Sequence, residues 1–324
     1  MKKQYYFILL LLFSALFTSC KTHFRISVKE PAVVKIPNEV INLGVVNNVT
    51  NENSPDKVIG QILGTEQING NVAAAERATD GVLRALDNSN MLKGQMLNIA
   101  DSMRTENGEL NWVFIDSLCR AKNMQGLIEL VEVRSVSPVG GTVLANASGQ
   151  RSAKLEGSLI VNYHIAQTHE SFERWRVNHT YNVPLSGSLT VIDILSDMQR
   201  KREYYRALGF ELGYKAGRLI YPNWVWVNRT YYNKGSKNLK RAKPMIQKGN
   251  WDIAEKQLID DADHSKDKVR GRTLYNLALI KEGQGEVDVA IEYAERAAMA
   301  GNKLANDYLV KLRQRKRDLE QLNQ

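Results

Sequence analysis

Val40-Ile41-Asn42-Leu43-Gly44-Val45-Val46-Asn47 is the stretch on which the fold turns. Its apolar residues sit side by side instead of alternating, over a length suited to a strand. A strand covered on both faces has this composition, and such strands stand at the centre of helix-sandwiched sheets.

Upstream, Phe24-Arg25-Ile26-Ser27-Val28 alternates as a half-buried strand does. Pro31 separates it from a second extended run, Val33-Val34-Lys35-Ile36, and Pro37-Asn38 makes the turn into the central strand. Downstream, a polar segment from Asn48 to Asn71 precedes a helix from Ala73 to Leu86, whose apolar face is set by Val72, Ala75, Val82, Leu83 and Leu86. A strand from Met91 to Leu97, a polar connection, a helix from Trp112 to Asn123 and a strand from Gly126 to Arg134 follow. Strand, helix, strand, helix, strand is the order of an α/β layer structure. Pro138 to Arg151, rich in Gly and Ser, reads as a flexible hairpin tip. Leu155–Gln167 and Phe172–Val183 read as two long strands. The last elements of this region are a helix from Met198 to Tyr221 with Tyr205, Leu208, Leu212, Ala216 and Leu219 facing inward, and a strand from Trp224 to Tyr232. The domain is expected to close there, with Asn233-Lys234-Gly235-Ser236 as a linker.

Beyond the linker the chain repeats itself. Gly249-Asn250-Trp251-Asp252-Ile253-Ala254-Glu255-Lys256 aligns with Gly285-Glu286-Val287-Asp288-Val289-Ala290-Ile291-Glu292 at a period of 36 residues. Glycine reverses the chain between antiparallel helices, Asp favours a helix start and Ala permits close helix contact. The pattern resembles the tetratricopeptide repeat, whose period is ~34 residues. It places repeats at about 236–264 and 268–300 and a capping helix at 302–322, and Pro244 must kink or shorten the first of these helices. Two repeats and a cap are fewer than usually stand alone, so they are expected to lean on the preceding domain. The expected architecture is therefore α+β: an α/β layered domain with a mixed sheet (20–232), then an all-α repeat domain (233–324).

The first residues carry an address. Lys2 and Lys3 precede a short apolar run and then Phe17-Thr18-Ser19-Cys20, the layout of a cleaved secretory signal that is too short to span a bilayer. The cut site resembles a lipobox, which implies removal of residues 1–19, acylation of Cys20 and membrane attachment through that lipid. Lys21 in place of Asp implies the periplasmic side of the outer membrane. Cleavage leaves 305 of 324 residues. Only two cysteines exist, so an acylated Cys20 leaves Cys119 without a disulfide partner, and its helical context reads as a buried, inert thiol. With the pieces placed, the chain resembles a family of Gram-negative, Bacteroidota-type outer-membrane lipoproteins combining a lipobox, an α/β domain and C-terminal tetratricopeptide repeats. The residues carrying that resemblance are Val28-Lys29-Glu30-Pro31-Ala32, Ile36-Pro37 and the block from Tyr221-Pro222-Asn223-Trp224 to Tyr232. The α/β part also looks distantly like TolB N-terminal domains and curli-secretion lipoproteins of the CsgG type.

Chemistry is sparse. There is no G-x-S-x-G, no H-E-x-x-H and no phosphate loop. His164 and His169 lie five apart, which fits no zinc spacing, and Glu129 and Glu132 on one strand are expected on opposite faces. Neither an enzyme, a cofactor nor a metal is expected. The net charge of +9 is concentrated in residues 197–248, where thirteen Lys/Arg face three Asp/Glu. A solvated helix face, anionic lipid head groups or an acidic partner protein would each account for it; nucleic acid does not suit the periplasm. The repeat pattern places Leu239, Lys243, Arg272, Tyr275, Leu279, Asn306 and Arg313 on a concave groove made basic by Lys243, Arg272 and Arg313. The expected function is thus a non-enzymatic, periplasm-facing lipoprotein binding a protein partner with acidic surface. The alternative is an assembly subunit that oligomerises through its α/β domain, and solution mass would separate the two.

Overall fold

The computed structural model describes residues 21–49, 66–136, 144–145, 151–166, 171–184 and 198–323. The leader, Cys20, the tip of the 138–151 hairpin and His169 lie outside them. The chain divides into two compact units, one of residues 32–223 and one of residues 1–31 with 224–324.

In the first unit the central strand is β2 (Asn42–Asn47), with four consecutive buried residues. It pairs in parallel with β3 (Lys93–Leu97) on one side and β4 (Gly126–Val136) on the other. β4 continues antiparallel into β6 (Arg151–Ile165), which also pairs with β7 (Ser171–Pro184) and with the two-residue β5 (Leu144–Ala145). The result is a mixed six-stranded sheet in the order β3-β2-β4-β6 with β5 and β7 on β6. Two helices cover one face: α1 (Glu66–Asp87) and α3 (Met198–Arg218). Leu43, Val45, Ile128, Leu130, Leu159, Val161 and Tyr163 pack there against Val82, Leu86, Leu208 and Leu212. The other face is covered by α2 (Trp112–Ala121), where Val46, Leu97 and Leu127 meet Ile115, Cys119 and Met124. Each such side chain contributes about 1.5–3 kcal/mol on burial. Cys119 is buried, and burial together with the Asp116 carboxylate pushes its thiol up to about 11.

Two expectations change. Val33–Ile36 forms no strand; the Val33 and Val34 amides instead donate to the Leu219 carbonyl at 2.8 and 2.9 Å. And Glu129 and Glu132 share a face of the sheet. Glu129 registers with Asn162 and Glu132 with Ile160, so Val131 is an extra bulged residue that reverses the parity.

The second unit joins both ends of the described chain. Among the described residues β1 (Lys21–Glu30) pairs with β8 (Asn223–Tyr232) alone, as a two-stranded ribbon. Asn233 donates to Thr22, and Thr230 bonds His23, so the start of β1 lies by the end of β8 and the ribbon is antiparallel. Sequence alone places β8 in the first domain; pairing with β1 groups it with the helices. Those are α4 (Lys237–Gln247), α5 (Trp251–Leu258), α6 (Asp267–Gln284), α7 (Val287–Met299) and α8 (Lys303–Leu322). α4, carrying Pro244, has 11 residues against 18 in α6. Gly285 ends α6 in the left-handed region at φ 87°, which turns the chain back into α7. Alanines 290, 294 and 297 of α7 are fully buried where α6 and α8 approach.

Candidate functional site

Asn48 lies one residue past β2, beyond the carboxyl end of the central strand, where open α/β sheets hold their ligands. Its amide extends the ladder to the Leu130 carbonyl at 3.0 Å, which fixes its side chain against β4. From there Asn48 Nδ2 donates to Glu129 Oε1 at 2.7 Å. On the next strand Asn162 and His164, two residues apart, face the same carboxylate. Asn162 Nδ2 donates to Glu129 Oε2 at 3.2 Å, and His164 Nε2 lies 2.6 Å from the same oxygen. Arg104, from the β3–α2 connection, donates through Nε to Asn48 Oδ1 at 2.9 Å and through Nη1 to Asp101 at 2.9 Å. The Trp112 ring, at the start of α2, lies 4.9 Å from the His164 imidazole.

Glu129 is 7% exposed and His164 6%. Burial alone would raise the Glu129 pKa, but the bonds from His164, Asn48 and Asn162 and the His164 charge outweigh it and hold the carboxyl below its usual range. An ionised carboxylate accepts, so His164 donates through Nε2. That leaves His164 Nδ1, like Asn162 Oδ1, buried with no partner among the described residues. The cluster is an oriented His–carboxylate pair beneath the surface. Among the described residues no hydroxyl or thiol is hydrogen-bonded to His164, and no group of three or more potential metal ligands occurs. Such a cluster can hold a proton and fix the end of the sheet; it lacks the nucleophile of a hydrolytic triad.

Sequence reasoning places His164 in a strand, and it lies in β6. It misses the convergence, because the register joining β4 to β6 is not written in either strand. The alternation Asn162-Tyr163-His164 was the available signal: two polar residues on one face of an otherwise apolar strand.

The residues assigned to a helical groove fare unevenly. Leu239, Tyr275 and Leu279 are buried in the core of the second unit. Tyr275 packs between Tyr232 of β8 and Tyr308 of α8, ring centres 5.4 and 5.1 Å away. Arg272 lies over the Tyr232 ring at 5.1 Å and donates to the Lys234 carbonyl at 2.8 Å. Asn276 bonds both backbone groups of Tyr232, at 2.9 and 2.7 Å, as a neighbouring strand would. The inner face around Tyr275 is thus filled by the protein's own strand. Lys243 is half-buried, Asn306 is exposed, and Arg313 is exposed and paired with Glu295 at 3.0 Å. Support for these helices comes within this unit, from β8.

What remains open is the outer side of α4. Leu239, Ala242 and Ile246 point inward, while Lys237, Lys240, Arg241 and Lys248 are exposed on the other side. None of these four forms a salt bridge among the described residues. No acidic residue stands in the first turn of α4. Cations there oppose the helix dipole, and like charges at i,i+3 and i,i+4 repel.

Residues 40–232 match the model of a domain of unknown function (DUF8603), and residues 240–320 match a second domain of unknown function (DUF6340). No curated protein matches. Among solved structures, the chain is similar to the PelC dodecamer from Paraburkholderia phytofirmans, at 8% identity and a TM-score of 0.27, over 61% of this chain and 97% of that one. A substituted PelC from the same organism gives 9% and 0.26, over 60% and 97%. These likenesses are too shallow to bear on function.

Proposed function

The chain belongs to the family of the domain of unknown function DUF8603, and from that premise we propose that it is a non-enzymatic, lipid-anchored outer-membrane protein facing the periplasm. Its tetratricopeptide-like helices would hold a protein partner with acidic surface. The observation that carries this reading is the basic outer face of α4. Lys237, Lys240 and Arg241, in the first half of the helix, cost it stability through the dipole and mutual repulsion, yet no acidic neighbour among the described residues offsets them. A surface kept against its own fold's preference is one that another molecule uses. The α6–α7 hairpin, with its glycine turn and alanine contact, supports the repeat reading. The lipobox-like leader supports the address.

The test is recovery of partners from solubilised membranes with tagged full-length protein. Replacing Lys240→Glu and Arg241→Glu together sets like charges across the interface, which costs several kcal/mol, so recovery should fall about tenfold or more. An unchanged set of recovered proteins would sink the α4 surface. A solution mass many times that of one chain would favour the assembly-subunit alternative.

A further inference from the structure

β1 and β8 each turn one face to the helices and one away. On β1, Ile26 and Val28 are buried while His23, Arg25, Ser27 and Lys29 are exposed. On β8, Arg229 and Tyr231 face inward, and Trp224, Trp226 and Asn228 are exposed. The Thr230–His23 contact, 3.1 Å, ties Trp224, Trp226 and Asn228 of β8 to the odd-numbered positions of β1 on one outer surface, while Tyr232 at the end of β8 is buried against Tyr275. That surface carries two indoles, 64% and 69% exposed, with Arg25 and Lys29 and no acidic residue.

Two exposed tryptophans at i and i+2 leave a large apolar area in water. Tryptophan joins an apolar ring to a polar N–H, a combination favoured where hydrocarbon meets head groups. Basic side chains beside it suit an anionic surface and disfavour a basic one. The position in the chain selects among acidic surfaces, because β1 begins at Lys21, the residue after Cys20. A ribbon of ten residues reaches roughly 33 Å, so its far end cannot stand far from whatever holds its first residue.

We propose that the outer face of the β1–β8 ribbon lies flat on anionic lipid head groups, with Trp224 and Trp226 inserted at the interface and Arg25 and Lys29 on the phosphates. The inference rests on the anchor reading of Cys20. It adds a second attachment at the far end of the ribbon, so that the protein is oriented on the bilayer and not merely tethered. Both attachments belong to the unit that carries the α4 surface.

The experiment uses full-length protein isolated from membranes and reconstituted into vesicles of phosphatidylethanolamine and phosphatidylglycerol. Lipids brominated at graded chain positions then report tryptophan depth. The expected result is quenching by bromines nearest the head group, with a blue-shifted emission. The Trp224→Ser, Trp226→Ser double variant should lose most of both. Neutralising Arg25→Gln and Lys29→Gln should reduce quenching in phosphatidylglycerol vesicles and leave it unchanged in phosphatidylcholine. Quenching equal in the wild type and the tryptophan variant overturns the proposal. So does a ribbon that cross-links to a second copy while its tryptophans emit as in water. Failure of the anchor reading is a separate observation: the isolated protein would show no acyl mass on Cys20. Because all four positions are exposed, the variants should keep the wild-type melting profile, and that profile is recorded beside each spectrum.

Discussion

At the scale of single residues, Glu129 shows how a buried charge is kept. Removing a carboxylate from water is costly, and three donors, Asn48 past β2 and Asn162 and His164 on β6, offset it here. A carboxyl held below its usual range stabilises the fold above the ordinary carboxylate pKa. That contribution fades as pH falls through the lowered value. The Glu129→Gln variant keeps the size but gives up the charge and leaves one donor facing another. It should be less stable than wild type by about 1–3 kcal/mol at neutral pH. The difference should shrink in acid, as pH falls below the ordinary carboxylate range and the wild-type carboxyl also takes a proton. Urea unfolding at neutral and acid pH measures it, and a pH-independent difference would mean that charge is not what Glu129 supplies. The cluster was only partly readable in advance. His164 declares itself as a polar residue in an apolar strand, but the bulge at Val131 lies in the pairing, and parity arguments on β4 fail without it.

At the scale of elements, α1 and α3 were legible by their apolar stripes: Tyr205, Leu208, Leu212 and Ala216 are buried as their spacing requires. The mode of contact was not. The two helices lie parallel, with Ala74 against Gly209 and Ala78 against Gly213. A Cβ on Gly213 would stand 1.9 Å from the Ala78 carbonyl oxygen, and one on Gly209 2.0 Å from that of Ala74. Backbone meets backbone there, so nothing flexible can yield. Glycines spaced by four carry no hydrophobic signal, which is why a pattern of apolar residues passes over them. Gly213→Ala gains about 1 kcal/mol of helix propensity. It should nonetheless destabilise the first unit by a net ~1–3 kcal/mol, because overpacking against main chain forces the helices apart. Thermal unfolding decides the sign, and a variant as stable as wild type would show that the helix pair is looser than described.

At the scale of the whole molecule, the chain leaves one unit after β1, builds the other, and returns with β8. Sequence suggested a division near Tyr232 because β8 follows α3 directly, and nothing local announces a partner 200 residues earlier. Pairing across such a separation is entropically expensive, so β8 needs other fastenings, and Arg229 is the strongest of them. Its guanidinium donates to Glu282 through Nε at 2.8 Å and Nη2 at 2.5 Å, and Tyr308 donates to the same carboxylate at 2.6 Å. Glu282 is buried in α6, so the pair binds ribbon, α6 and α8 at one point. Burial lowers the Arg229 pKa, but the Glu282 bonds and charge more than restore it, and the group stays ionised throughout the working range of pH. Losing one partner strands a charge in the core. Arg229→Met should therefore cost about 3–5 kcal/mol, while Arg229→Met with Glu282→Leu should recover most of that loss. A double-mutant cycle by urea unfolding measures the coupling. Additive losses would show that the pair is incidental and that the aromatic contacts of Tyr231 and Tyr232 hold the ribbon alone. A strong coupling would make Arg229 the residue through which attachment at the start of the chain is passed to the helices at its end.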